Sequence, residues 1–377
     1  MRLILTFVLV VHALIHLMGF AKAFGYAALP QLTIPISRAM GALWLLATFV
    51  LLAAAVALWA APRAFWILGA AGLVLSQGVI VASWGDARFG TLANVIVLAA
   101  VVYGAFAWGP FGLRAEYAQR AAQGLASLAA RPAAVVTEAD IAPLPAAVQQ
   151  YLRFAGVIGQ PRVQSFRVRM TGRIRGAADA PWMPFTAEQH SFFDPPRRYF
   201  FMQAERAGLP LDGLHAYAED GASMRIRLLS MFPVVSVAGP TLTRTETVTV
   251  LNDMAIMAPA ALIDPAIRWR EIDPLQVEAT YSNGPHVLRA ALVFDTSGAL
   301  VNFWSDDRPA LAADGVTLQP QRWSTPVGAY RPQGAYRLAS RGEARYAAPG
   351  GEYTYLEFDG IEVTLSGSAP KTDAQPH

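Results

Sequence analysis

The hydrophobic positions of this chain fall into two regimes. In residues 1–112 they form four long apolar runs, at about 3–20, 40–60, 64–84 and 89–108. A helix needs ~20 apolar residues to cross ~30 Å of hydrocarbon, and each run is about that long. Pro62 and Arg63 separate the second and third runs, and Gly85-Asp86-Ala87-Arg88 the third and fourth. Trp44, Trp59, Trp66, Trp84 and Trp108 lie mostly near run ends, as in the aromatic belts of membrane proteins. The pattern predicts a four-helix transmembrane bundle over 1–112. Arg2, the first apolar run and Ala21-Lys22-Ala23 also fit a cleaved signal peptide. The three runs that follow, and the polar residues within the first, favour a retained helix.

Past residue 112 the pattern changes. Leu113, Tyr117, Ala121, Leu125 and Leu128 recur at helical spacing, so a connector helix is expected, followed by a linker to 136 containing Pro132. Thr137-Glu138-Ala139-Asp140 reads as an N-cap, and a short helix at 143–154 turns Leu144, Val148, Tyr151 and Leu152 inward. From Val163 the period becomes two. Apolar and basic residues alternate over 165–175, and similar runs follow at 185–193, 198–203, 214–218, 223–229, 267–272, 276–281, 287–294, 300–305, 334–346 and 352–365. Asp194-Pro195-Pro196, Asp220-Gly221, Ser282-Asn283-Gly284-Pro285 and Asp295-Thr296-Ser297-Gly298 mark turns between them. Residues 137–366 therefore read as an antiparallel meander forming a large, curved, half-barrel-like sheet. The helix at 143–154 and a second at about 241–257 are candidates to cover its apolar face. The fold class is α+β, and 367–377 lacks apolar periodicity and reads as disordered.

Charge sharpens this division. The first 112 residues hold five basic groups and one acid, Asp86; the remaining 25 Lys/Arg and 26 Asp/Glu nearly cancel. The excess positive charge therefore belongs to the membrane part, and the sheet domain carries no basic stripe for nucleic acid. Cysteine is absent, which excludes disulfides, thiolate metal sites and cysteine nucleophiles. Arginine replaces lysine almost everywhere, as in GC-rich bacterial genomes. An inner-membrane, multi-pass protein is the expectation. Arg2, Arg63, Arg114 and Arg120 stand against Lys22, Arg38 and Arg88, a four-to-three bias toward termini and sheet domain on the cytoplasmic side.

Within the spans the chemical candidates are His12, His16, Asp86, Arg88 and Asn94. His12 and His16 share a helix face, and ionisable groups in a span are functional hypotheses. Metal binding or proton relay is one reading; hydrogen bonding to neighbouring helices is the other. Ser76, Gln77 and Asn94 are the few further ligands on offer. Asp86 and Arg88 fit an ion pair in a turn. In the sheet domain no HExxH, GxSxG or glycine-rich phosphate loop occurs, and no catalytic residue, metal or cofactor is assigned. Glu188 and His190 share one strand face, and an enzyme would need them to meet Asp253. Trp182, Met183, Phe185, Phe200, Met202, Met231 and Met257, with Glu188 and Asp253, are candidates to line a pocket for an apolar or lipid-like ligand, since methionine-rich surfaces adapt to varied apolar partners. An ordinary core is the competing reading, and a protein partner in the envelope is the other binding expectation.

Four stretches carry a family likeness: His12-Ala-Leu-Ile-His16 through Lys22, Trp84 through Asn94, Leu144 through Val157, and Trp182 through Gln189. They resemble an uncharacterised bacterial membrane-protein family that pairs four N-terminal helices with a C-terminal domain of unknown function. The resemblance implies no activity. In strand layout alone the sheet domain is similar to lipoprotein-carrier-like half-barrels, and function does not follow from such analogy. A membrane-anchored binding domain is the leading functional expectation. A redox or proton-coupled protein using the intramembrane histidines, and a hydrolase-like enzyme on the sheet, are the alternatives.

Overall fold

The computed structural model describes residues 2–128, 134–312, 317–348 and 350–366. The linker expected at 129–136 lies partly, and the tail expected at 367–377 wholly, outside them. The chain divides into two compact units, Met1–Glu116 and Tyr117–His377.

The first unit holds α1 (Arg2–Phe24), α2 (Arg38–Ala60), α3 (Phe65–Ala82), the one-turn α4 (Trp84–Ala87) and α5 (Gly90–Ala107). Four of these, α1, α2, α3 and α5, are long and apolar enough to cross a membrane. Ser37 caps α2, its Oγ accepting the Met40 amide at 3.2 Å. Glycine lets α1 and α2 approach closely: a side chain at Gly19 would begin 2.2 Å from the Trp44 ring, and one at Gly41 2.3 Å from Ala23. Small residues at such contacts are how helices pack in lipid, where apolar burial between helices is worth little.

Next come α6 (Leu113–Ala126), α7 (Glu138–Ile141) and α8 (Ala146–Phe154). Thr137 and Asp140 form a capping box on α7, and Gly156, with φ +75°, lies just beyond α8. Leu125 was expected on the buried face of α6. Instead Leu125 is exposed, and Tyr117, Ala121 and Gly124 are buried.

The sheet domain contains β1 (Ser165–Ile174), β2 (Met183–Phe193), β3 (Pro196–Arg206), β4 (Leu209–Ala218), β5 (Gly221–Leu228) and β6 (Phe232–Ala238). Helix α9 (Pro240–Met257) and a 3-10 turn (Pro259–Ile263) follow. Then come β7 (Ile267–Asp273), β8 (Gln276–Asn283), β9 (His286–Phe294), β10 (Leu300–Ser305), β11 (Ala310–Leu311), β12 (Leu318–Gln319), β13 (Trp323–Ser324), β14 (Val327–Gln333), β15 (Tyr336–Ala348) and β16 (Gly351–Leu365). All but β11 and β12 belong to one 14-stranded sheet, a curled antiparallel half-barrel.

This sheet departs from the simple meander expected. Its order is β6-β5-β4-β3-β2-β1-β16-β15-β13-β10-β9-β8-β7, with β14 paired to β15. The last strand, β16, is inserted between β1 and β15, so the middle of the sheet closes only when the end of the domain is in place. The two edges, β6 and β7, are joined in sequence by α9. That helix lies in the domain core, buried from Thr245 through Met257, where a lid would have left one face wet. The α8 residues Val148, Tyr151 and Leu152 are buried in the same core, and the Tyr151 hydroxyl donates to the Ala255 carbonyl of α9 at 2.6 Å.

Candidate functional site

Several polar residues of α1, α3 and α5 form one network. His12 Nε2 lies 2.9 Å from Ser76 Oγ on α3 and 3.0 Å from Asn94 Oδ1 on α5. Asn94 Nδ2 donates to Gln77 Oε1 at 2.9 Å, and Gln77 Nε2 donates to Thr91 Oγ1 at 3.2 Å. His16 Nδ1 is 2.8 Å from the His12 carbonyl. A carbonyl only accepts, so Nδ1 carries the proton. His16 Nε2 and the indole N–H of Trp44, whose rings lie 5.2 Å apart, have no hydrogen-bond partner among the described residues. Among those residues no three His, Asp and Glu side chains group as metal ligands do. The network ties α1, α3 and α5 together. Asn94→Leu should therefore cost only about 1–2 kcal/mol, because hydrogen bonds between helices in lipid are individually worth ~0.6 kcal/mol. Thermal unfolding of the purified protein in detergent checks this.

Asp86 and Arg88 do not form the expected pair. Asp86 accepts from Thr33 Oγ1 at 2.7 Å and from the Ile34 amide at 2.8 Å. The Ile34 amide first, then the Thr33 hydroxyl, holds its carboxyl below the usual carboxylate range. Lys22 donates to the carbonyls of Leu32 and Ile34, and Arg88 lies over the Phe89 ring. These two charged groups, Lys22 and Asp86, thus clamp the α1–α2 loop.

Register divides the sheet's candidates between its faces, because directly opposed residues of antiparallel strands point the same way. Glu188, His190 and Phe192 occupy the outer face. Glu188 pairs with Arg167. His190 Nδ1 lies 2.7 Å from the Tyr117 hydroxyl on α6. The Tyr117 ring packs 5.9 Å from Phe201, and a side chain at Gly124 would begin 2.3 Å from Phe192. Arg197 donates to Ser127 at 2.7 Å. So α6 covers the outer face of β2 and β3 around His190, Phe192 and Phe201. Asp253 points into the inner face from α9. Glu188 and His190 therefore cannot meet it, and the trio considered for catalysis is split by the sheet.

On the inner face, pairing lines up Val168, Gln189, Phe200, His215 and Met224 in one row, and Phe166, Ser191, Arg198, Tyr217 and Ala222 in the next. The polar side of α9 lies against these rows. Arg198 Nε donates to Asp253 Oδ2 at 2.7 Å, and its Nη1 to Glu246 Oε2 at 3.0 Å. Gln189 Nε2 donates to the same Asp253 oxygen at 2.7 Å, and His215 Nδ1 lies 3.4 Å from Glu246 Oε1. Arg308 Nε donates to Thr249 Oγ1 at 3.0 Å, and its guanidinium lies 4.1 Å from the Trp323 ring centre. Two carboxylates share one guanidinium. Burial opposes ionisation of both; at Asp253 it prevails and raises the pKa. At Glu246 the His215 contact and the Arg198 charge outweigh it and hold the carboxyl at about 2.

Beyond α9 the inner face continues as two further rows: Met170, Ala187, Met202, Gly213, Ile226 and Val235, then Phe185, Ala204, Leu211 and Leu228. They are apolar throughout, yet Met202, Ala204, Leu211, Gly213, Ile226, Leu228 and Val235 remain partly exposed. The structure thus brings Phe185, Phe200 and Met202 onto one concave wall, with Asp253 at its polar border. Met257 is buried at the end of α9. Glu188 is excluded from the wall by alternation. Trp182, Met183 and Met231 lie at one end of the sheet, with Arg173 and Arg175 each 4.5 Å over the Trp182 ring.

Residues 134–358, most of this sheet domain, match the model of a family of unknown function, DUF6544. The chain belongs to that family. The matched segment spans β1–β15, α7–α9 and the first part of β16, and leaves out the four apolar helices. No curated protein matches the chain. Solved structures similar to it include a DUF1329-family protein from Desulfovibrio piger, at 12% identity and TM-score 0.34, covering 58% of this chain and 91% of that one. A domain from Vibrio parahaemolyticus assigned to outer-membrane lipoprotein sorting has 8% identity and TM-score 0.31, covering 70% and 95%. A LolA-superfamily protein from Nitrosomonas europaea has 13% identity and TM-score 0.28, covering 57% and 92%.

Neither Arg198 nor Glu246 was assigned to a site from sequence, and neither were Gln189, Arg308 and the wall residues Leu211 and Ile226. A signal existed for the first two: Arg198 interrupts an aromatic strand, and the α9 run Thr245–Asp253 is too polar for a core helix unless its groups find partners.

Proposed function

We propose that the protein is a membrane-anchored binding protein whose half-barrel holds the acyl portion of a lipid-like ligand against its concave wall. The observation that carries this reading is the partly exposed apolar surface of Met202, Ala204, Leu211, Ile226 and Leu228 beside the buried ionic border of Arg198, Glu246 and Asp253. Covering apolar surface yields ~25 cal/mol per Å², or ~0.8 kcal/mol per methylene, so a chain of several methylenes suffices for stable retention. Burial of α9 narrows the site to the wall beyond it and leaves the rest of the half-barrel as core. Four apolar helices that crossed a bilayer would tether such a domain to a source of lipid, since only residues 108–112 separate α5 from α6 in sequence.

Lipid content of the full-length protein tests the proposal. Lipids extracted after purification in mild detergent are counted per protein by mass spectrometry. The wild type should carry about one equivalent more than Ile226→Asp, because a carboxylate on the wall resists being covered by an acyl chain. Equal content in two folded proteins would overturn the reading.

A further inference from the structure

Three of the exposed large apolar residues of the sheet domain, Leu209, Phe232 and Val234, lie together, while Val135, Ile272 and Val287 are exposed elsewhere. Phe232 is 56% exposed, Val234 51% and Leu209 40%. Leu229 and Met231, partly exposed, lie in the turn between Leu228 and Phe232. Pairing of Leu211 with Leu228, and of Arg206 with Leu209, puts the β3–β4 and β5–β6 turns at the same end of the sheet. Ile174 pairs with Met183, so Trp182, Arg173 and Arg175 belong to that end too. The turn is held in an unusual conformation, with Leu229 at φ +52° and Ser230 at φ +59°. Backbone of this kind is costly and persists where the surroundings fix it.

Helix α6 supplies a direction. Its Ser127 touches Arg197 beside the β2–β3 turn, Gly124 touches Phe192, and Tyr117 touches His190 and Phe201. Traced from Ser127 back to Tyr117, α6 runs from the β2–β3 turn toward the end that carries Leu209 and Phe232. The chain preceding Tyr117 therefore heads toward that end, and only nine residues lie between Ala107 and Tyr117. Such a stretch reaches at most ~35 Å even fully extended.

We propose that the β5–β6 turn and the start of β6, with Leu209 and the Trp182–arginine cluster, insert into the interfacial layer of the bilayer that the chain's own helices cross. The composition fits this partner. Phe, Leu, Val and Met supply area for the acyl boundary, Trp182 is the aromatic type of the interface, and Arg175 and Arg206 suit anionic headgroups, Arg173 being paired with Glu357. Leu211 and Leu228 of the concave wall lie nearest the same end, so a lipid leaving the membrane there would meet them first. Insertion does not depend on that use, and goes beyond the ligand reading.

The chain has no cysteine, so single-cysteine variants need no background removal. Phe232→Cys, Val234→Cys and Asp220→Cys, the last on the β4–β5 turn at the opposite end, are labelled with an environment-sensitive fluorophore. The full-length protein is placed in nanodiscs of phosphatidylcholine and phosphatidylglycerol with or without spin-labelled lipid. Labels at 232 and 234 should emit further to the blue and be quenched about twofold, with label 220 unaffected, as for side chains buried ~5–10 Å into the headgroup boundary. Equal, weak quenching at all three positions overturns the proposal. So does disulfide formation between two copies at 234, which would make β6 an edge for a second chain. Insertion is separable from the ligand site: Gly213→Phe lies on the wall and should leave quenching at 232 unchanged.

Discussion

Arg198→Ala should lower the stability of the sheet domain by about 3–5 kcal/mol, the usual cost of removing one partner from a buried ion pair. The arginine side chain is 8% exposed, and those of Glu246 and Asp253 3% and 6%, so solvent cannot rescue the carboxylates left behind. At about 2–4 °C per kcal/mol for a domain of this size, the loss reads as a fall of about 10 °C in thermal unfolding. Arg198→Lys should not restore it, because an ammonium lacks the fork that serves two carboxylates at once. The carboxylates differ. The Glu246 carboxyl is held at about 2 against an ordinary 4.5. A depressed pKa stabilises the fold fully above the unfolded value, and that contribution is lost as pH falls from about 4.5 toward 2. The Asp253 pKa is shifted the other way, mainly by burial, so its charged form opposes folding. Glu246→Gln should therefore cost more at neutral pH than Asp253→Asn. The deficit of Arg198→Ala should narrow as acid neutralises the two carboxyls. Unfolding curves of the four variants between pH 7 and about pH 2 check all of these expectations. Equal loss in Glu246→Gln and Asp253→Asn would mean that the cluster does not divide its charge in this way.

Gly213→Phe should abolish ligand retention while leaving the domain folded. Gly213 sits mid-wall between Met202 and Ile226, and a Cβ there meets nothing closer than 3.8 Å. Its backbone is ordinary strand, so a side chain introduces no strain. A benzyl group would cover the surface that an acyl chain needs. At least a tenfold loss of bound lipid is expected, which corresponds to about 1.4 kcal/mol, with thermal unfolding nearly unchanged. A lost fold would show that the wall is already filled core. Retained lipid in a folded variant would place the ligand elsewhere.

The local parts of this architecture were legible in sequence because they rest on local patterns. Four apolar runs became four helices, and eleven alternating runs became strands within a few residues of the expected bounds. What escaped depends on partners far away in sequence. Strand β13 is two residues long and exists because Trp323 and Ser324 fit between β10 and β15. Edge strand β6 contains Pro233 and reads as a loop. The insertion of β16 beside β1 rests on pairs about 200 residues apart, such as Phe166 with Leu365. The ionic border was half visible. Asp253 was a candidate, but its arginine lies 55 residues away on a strand whose neighbours are aromatic. The assignment of Glu188 to the pocket failed for a simpler reason. Its strand alternates, and no local feature says which face α9 will cover.

Photo-crosslinking shows whether an acyl chain lies on the inner wall beyond α9. The full-length protein is loaded in membranes with a phospholipid carrying a photoreactive acyl chain, irradiated, digested and mapped by mass spectrometry. Adducts on β3, β4 and β5, centred on Met202, Leu211, Ile226 and Leu228 and absent in Gly213→Phe, are the predicted result. Adducts confined to α1, α2, α3 and α5, with none on those three strands, would contradict it.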